Sequence, residues 1–151
     1  MECVILIGLP ASGKTSIYRA RLAGTHDHVS KDLLRNHARP RRRQEQLIAE
    51  ALAAGRSVAI DNTNPDVETR APLIALARTR GAQVVGYFFP TEAKDALRRN
   101  RLREGHERVP DVAIFATRKR LEPPSYDEGF DQLYIVSLNE TTQSFDVFPL
   151  Q

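Results

Sequence analysis

The stretch GLPASGKT, Gly8 to Thr15, follows directly on the apolar run CVILI, Cys3 to Ile7. It has the form G-x-x-x-x-G-K-[ST]. An apolar run with no polar alternation predicts a parallel strand buried on both faces. Gly8 and Gly13 allow a tight loop whose amide hydrogens wrap around phosphates. With Ala11, Ser12 and Ser16 they make a nucleotide-binding cradle at the positive end of the next helix. Lys14 is spaced to reach the β and γ phosphates, and the Thr15 hydroxyl to hold Mg²⁺. No N-K-x-D or D-x-x-G pattern of a guanine-specific protein is present, so ATP is the expected nucleotide.

Working outward, apolar stretches alternate with helical periodicity. Strands are predicted at GTHDHVS (weak), SVAIDNTN, AQVVGYFFP, QLYIVSL and SFDVF (weak). Helices are predicted from Lys14 to Leu22, over KDLLRNHA, from Pro40 to a stop at Gly55, and from an Asn64 cap with Pro65 in the first turn. Pro72 is expected to kink or restart that helix before Gly81. A helix with Thr91 as cap runs to Arg101, and another starts at Pro110 with Val112, Phe115 and Ala116 inward. The alternation predicts an α/β fold of the P-loop kind, a parallel central sheet with helices on both faces.

The 151 residues suit one domain, 1–151, with a lid-like segment over about 98–110. No run approaches membrane-span length. No signal peptide is evident, and one cysteine, Cys3, permits no internal disulfide; a cytoplasmic setting is the expectation. Net charge is +3, with four lysines against a large arginine excess. Arginine suits bidentate contact with phosphate. The run Arg39 to Arg43 (RPRRR) reads either as a solvated charge cluster or as a phosphate-binding patch. The histidines His26, His28, His37 and His106 lack metal-ligand spacing and are expected at the surface.

Two carboxylates are candidates for chemistry. Asp32, in VSKDLLR, follows a strand, and ligands of open α/β sheets bind along that strand-end edge. It reads as a general base or as a first-turn residue complementing a helix dipole. Asp61 ends the strand SVAID at the same edge and is read as a site residue that organises Mg²⁺ or a loop. Arg99 and Arg103, four apart in RRNRLRE, are expected on one helix face, where they would stabilise the charge of a transferring phosphoryl group. Arg98 and Arg101 read as a solvated basic helix end.

The motifs GLPASGKT, VSKDLLR, VAIDNTNPDVETR, RRNRLRE, Val109-Pro110 and KRLEPPSYDEGFD occur in this order. Together they resemble the polynucleotide 5′-hydroxyl kinases, above all the animal-type kinase module. The resemblance implies ATP and Mg²⁺ as cofactors and the 5′-hydroxyl end of DNA or RNA as acceptor. It implies that Asp32 is the general base and that Lys14, Arg99 and Arg103 act on the donor phosphates. It implies acceptor contacts from Arg35, Asp61, Thr63 and Arg70. Lys31 stands where the family has arginine, and Ser30 where it has asparagine. No D-x-D-x-T phosphatase motif is present, so a kinase alone is expected. A kinase of a small-molecule hydroxyl and a non-catalytic nucleotide-binding module are the competing readings.

Overall fold

A computed structural model describes all 151 residues. Six strands form one sheet: β1 (Glu2–Gly8), β2 (His26–Val29), β3 (Ser57–Asp61), β4 (Gln83–Phe89), β5 (Gln132–Asn139) and β6 (Ser144–Pro149). Their order is β2-β3-β1-β4-β5-β6. The first five are mutually parallel, and β6 pairs antiparallel with β5. Only residues 140–143 join β5 to β6, too few for a crossover, so the last strand must turn back.

The central strand explains its own composition. Cys3, Ile5 and Ile7 enter the core on one face; Val4 and Leu6 enter it on the other. Burying Ile5 completely contributes about 2–3 kcal/mol. The first face is covered by α2 (Pro40–Ala53) and α3 (Val67–Thr79) through Ile48, Leu52, Leu73, Ile74 and Ala77. The other is covered by α1 (Lys14–Ile17) and its wider π-helical continuation Tyr18–Leu22. A smaller cluster of Leu9, Ala96 and Ile114 packs α4 (Ala93–Arg101) against α5 (Asp111–Arg120) beside the phosphate loop. No helix is long and apolar enough to cross a membrane.

Several sequence expectations are corrected. Asn64 does not cap a helix. It has φ +44°, and its side-chain amide donates to the carbonyls of Leu6 (2.7 Å) and Ile60 (3.3 Å), tying the loop to two strand ends. The cap of α3 is Asp66, which accepts from the Thr69 amide at 2.9 Å. Pro72 lies inside α3, which runs on unbroken. It forfeits one bond to the carbonyl of Glu68 near the helix start, while Leu73, Ile74 and Ala77 hold the helix on the sheet. Glu92, not Thr91, precedes α4. On α5 only Ile114 is buried; Val112, Phe115 and Ala116 face outward, because the helix leans on Leu9 and Ala96 along one narrow line.

Candidate active site

The phosphate loop joins β1 to α1 at the carboxyl edge of the sheet. Gly13 has φ +102°, a conformation that an L side chain strains to adopt. A Cβ on Gly8 would come 2.9 Å from Ser12 Oγ and 3.0 Å from Phe89 Cβ, so the chain closes on itself only with glycine there. The Gly8 amide donates to the carbonyl of Thr63 at 3.0 Å, which joins the loop to the one after β3.

Strand register brings the next residues together. Leu6 pairs with Asp61 between β1 and β3, and β2 lies alongside β3 with His28 opposite Ala59. As a result Asp61 Oδ2 accepts from Thr15 Oγ1 at 2.7 Å and meets His28 Nε2 at 2.8 Å. The His28 ring stacks on Tyr18 with centroids 4.1 Å apart. Burial alone would raise the Asp61 pKa; the bonds from His28 and Thr15 and the Lys14 charge outweigh it and hold the carboxyl below its usual value. Lys14 is buried with Nζ on the carbonyls of Gly8 (3.0 Å) and Leu9 (2.6 Å). Desolvation lowers its pKa to about 8, against the opposing charge of Asp61.

Lys14, Thr15 and Asp61 form the floor of a cleft of about 330 Å³, with His28 behind Asp61. Of the residues singled out in the sequence, Ala11, Ser12, Lys14, Thr15, Asp32, Asp61, Thr63 and Arg103 border it. Asp32 is exposed on a short 3-10 turn, Lys31–Leu34. Its amide donates to Ser30 Oγ, and Asn62 steadies the turn by accepting from the Lys31 amide at 2.9 Å while donating to Gln44 on α2. The Asp32 charge is felt at Lys14 across the cleft. Gly8, Gly13 and Ser16 belong to the loop and first helical turn without bordering the open space.

Three expected site residues lie elsewhere. Arg35 follows the 3-10 turn on the surface, outside the cleft. Arg70 is fully buried. Its Nε and Nη2 donate to the two oxygens of Glu128 at 2.8 and 3.1 Å, and its Nη1 to the carbonyl of Asn64 at 3.0 Å. It props the loop after β3 from beneath and does not reach the opening. Arg99 and Arg103 do not share a helix face, since α4 ends at Arg101. Arg99 Nε instead donates to Glu140 at 2.6 Å, in the β5–β6 turn, while its buried Nη1 has no partner. Arg98 holds the same carboxylate through two bonds, and together they pull the Glu140 pKa to about 2. The segment after α4 is closed at its base by Asn100, which donates to the Val109 carbonyl and accepts from its amide.

His28 is a site residue that the sequence reading left at the surface. His26 is likewise bonded, to Glu2 at 2.9 Å. The signal was available: period two in HDHV puts both histidines on one strand face, beside the strand that ends in Asp61. Arg120, at the end of α5 and on the cleft wall, was also missed; it pairs with Asp66 at 2.9 Å.

The Thr15 hydroxyl and Asp61 carboxylate are hard oxygen donors set side by side. Such a pair fits Mg²⁺, which keeps its other positions for water and phosphate oxygens. Burial and the bonded loop also make the surroundings of Lys14 suitable for closely held phosphates.

The chain is similar to several known proteins. The model of the AAA domain family matches residues 3–124. A bifunctional polynucleotide phosphatase/kinase of Schizosaccharomyces pombe is 28% identical over 133 residues, covering 85% of this chain and 32% of that protein. A relative from Acanthamoeba polyphaga mimivirus, named for the same two activities, is 31% identical over 143 residues, covering 90% of this chain and 33% of its own. The chain thus spans about a third of the length of these curated relatives. Among solved structures, a gluconokinase from Sinorhizobium meliloti superposes with a TM-score of 0.65 at 20% identity, over 92% of this chain and 83% of that one.

Proposed function

The chain belongs to the AAA domain family and has the fold of the P-loop kinases, and from that premise we propose that it transfers the γ-phosphate of ATP to the 5′-hydroxyl end of a DNA or RNA strand. The observation that carries this reading is one cleft bordered by both the Lys14–Thr15–Asp61 floor and the exposed carboxylate of Asp32. Binding a nucleotide needs the floor alone; an unpaired acid on the opposite wall serves a reaction. The polynucleotide acceptor is supported by the two relatives named above.

In this mechanism Asp32 accepts the proton of the acceptor hydroxyl as its oxygen bonds to the γ-phosphorus. The bond from that phosphorus to the oxygen bridging to the β-phosphate breaks, and ADP leaves. Lys14 exchanges its backbone carbonyls for phosphate oxygens. Thr15 and Asp61 would hold Mg²⁺, which neutralises phosphate charge when bound. Arg103 is the lid arginine on the donor phosphates. Arg99 joins it only by leaving Glu140. Catalysis is then positioning and electrostatics, with the segment after α4 closing over the nucleotide.

A small-molecule hydroxyl is the second reading, favoured by the shared fold with a gluconokinase. Transfer of labelled γ-phosphate to a panel of 5′-hydroxyl DNA and RNA oligonucleotides, nucleosides and sugars separates the two. Label is expected on oligonucleotides, with kcat reduced about 10²–10⁴-fold in Asp32→Asn and little change in ATP affinity. Label on sugars or nucleosides alone would move the function to the second reading.

A further inference from the structure

The arginine run at the start of α2 has no task in the mechanism above. Arg39 is the cap residue of α2 yet makes no side-chain cap bond, and no acid occupies the first turn. The positive end of a helix disfavours cations. Within the chain the compensation is thin. Arg41 lies 3.6 Å from Glu45 while 75% exposed, and Arg43 lies 3.7 Å from Glu50. Exposed pairs of this length contribute little. Arg39 and Arg42 are exposed.

Their surroundings are not a convex face. A groove of about 320 Å³ opens between α2 and α3, with Lys31, Arg41, Gln44, Pro72 and Arg120 on its sides. It shares Lys31, Asn64, Thr69 and Arg120 with the catalytic cleft, so the two are continuous at Asp32's own turn. At its other end it shares Arg41 and Glu45 with a hollow bounded by Arg39, Pro40 and Arg42. Along this path the cations are Lys31, Arg120, Arg41, Arg39 and Arg42, and the carboxylates are Glu45 and Glu68. Arg120 is shared with Asp66, and Glu45 faces Arg41.

We propose that this path is the track for the acceptor strand. It rests on the polynucleotide reading and extends it. The hydroxyl end enters the cleft at Asp32, and the phosphodiesters that follow lie in the groove, first against Lys31 and Arg120, then Arg41, and outermost Arg39 and Arg42. A strand of phosphates is the ligand that supplies negative charge at regular intervals along a groove, and it offsets the dipole penalty of the arginines at the start of α2. A single phosphate or a compact substrate would engage the inner end only.

The test is steady-state kinetics of the intact protein and its Arg41→Gln/Arg42→Gln variant on two acceptors. These are a nucleoside 3′-phosphate and a 5′-hydroxyl oligonucleotide of about ten residues that begins with the same nucleoside. Because the substitutions remove cations from a helix start, the variant folds at least as stably as the parent. The expected result is a KM for the oligonucleotide raised about tenfold, with kcat at saturation unchanged. KM for the nucleoside 3′-phosphate stays the same. The slope of log KM against log salt falls by about 1.4, the share of two phosphate contacts on a single strand. An unchanged oligonucleotide KM and salt slope in an enzyme that phosphorylates oligonucleotides would overturn the track alone. An equal rise for both acceptors would overturn it too, as a general effect on the site. A parent enzyme that labels no oligonucleotide would remove the acceptor reading and the track with it.

Discussion

At the floor of the cleft, Thr15 and His28 meet one oxygen of Asp61, and Lys14 is bonded to the loop that carries it. At its mouth, Asp32, Arg103 and Arg120 come from three separate parts of the chain: Arg120 is tied to Asp66 and Thr69, Arg103 bonds only the Glu107 carbonyl, and the Asp32 carboxylate has no bond. The floor is set by backbone ladders: the register of β1, β2 and β3 fixes where Asp61 and His28 stand before any side-chain contact forms. The mouth is set by side chains from a 3-10 turn, the segment after α4 and the end of α5. A preorganised floor costs no rearrangement when charge develops on a phosphoryl group. A looser mouth suits an acceptor that must enter, be held and leave. The Arg70–Glu128 pair is the exception on the acceptor side, a buried ion pair under the loop that carries Thr63.

That exception gives the largest expected effect. Arg70→Met leaves the Glu128 carboxylate buried without its partner and frees the Asn64 carbonyl. Loss of one member of a buried pair destabilises by about 3–5 kcal/mol, and urea unfolding measures it. Stability within about 0.5 kcal/mol of the parent, together with a raised acceptor KM, would erase the distinction. Arg70 would then be a ligand of the mouth rather than its foundation.

A smaller effect sharpens the comparison from the floor. His28 touches no open space of the cleft and meets Asp61, so in the proposed mechanism it would act as a positioning residue. His28→Asn keeps a hydrogen-bonding side chain but shortens it and removes the stack on Tyr18. Residues that orient a ligating side chain are worth about 10–100-fold. The expectation here is a kcat lowered about tenfold, at the low end of that range, with acceptor KM unchanged. His28→Gln, whose longer amide can approach Asp61, should recover part of the loss. A change in acceptor KM with kcat intact would place His28 in the mouth's function and contradict the division.

What the sequence made legible follows the same division. The buried run Cys3–Ile7, the loop glycines and the strand-end carboxylate Asp61 are local signals, and each corresponds to a position that backbone geometry fixes. The placements of Arg70 and Arg99 were not legible, because each is decided by a carboxylate far along the chain, Glu128 and Glu140. Spacing can say that two arginines would share a helix face; it cannot say that the helix stops at Arg101. Nor can it tell an arginine that faces a substrate from one that closes an internal ion pair, since both need the same residue. His28 lies between these cases: its strand face was readable, but its partner was the end of a neighbouring strand. On α5 the apolar residues Val112 and Phe115 misled because the packed line is only Ile114 wide.

Asp66 gives the smallest effect and probes the seam between the two regions, since it caps α3 and also holds Arg120 on the cleft wall. Bonding to Thr69, and then the Arg120 contact, lowers its pKa from 3.8 to about 2. A carboxyl whose folded pKa is depressed stabilises the protein above its unfolded value and loses that contribution as pH falls through the folded one. Asp66→Ala should therefore cost about 1 kcal/mol near neutrality, the usual worth of a helix cap, and lower Tm by about 3 °C. The difference between parent and variant should shrink as pH falls below 3.8, toward zero near 2. Urea unfolding of both proteins from pH 7 to the lowest pH at which each still folds reads this directly. A difference that stays constant with pH would make the cap a matter of packing and not of charge. A difference that closes, accompanied by a rise in acceptor KM at neutral pH in the variant, would show that fixing Arg120 is part of what Asp66 does, and that the mouth owes some of its shape to the cap of a core helix.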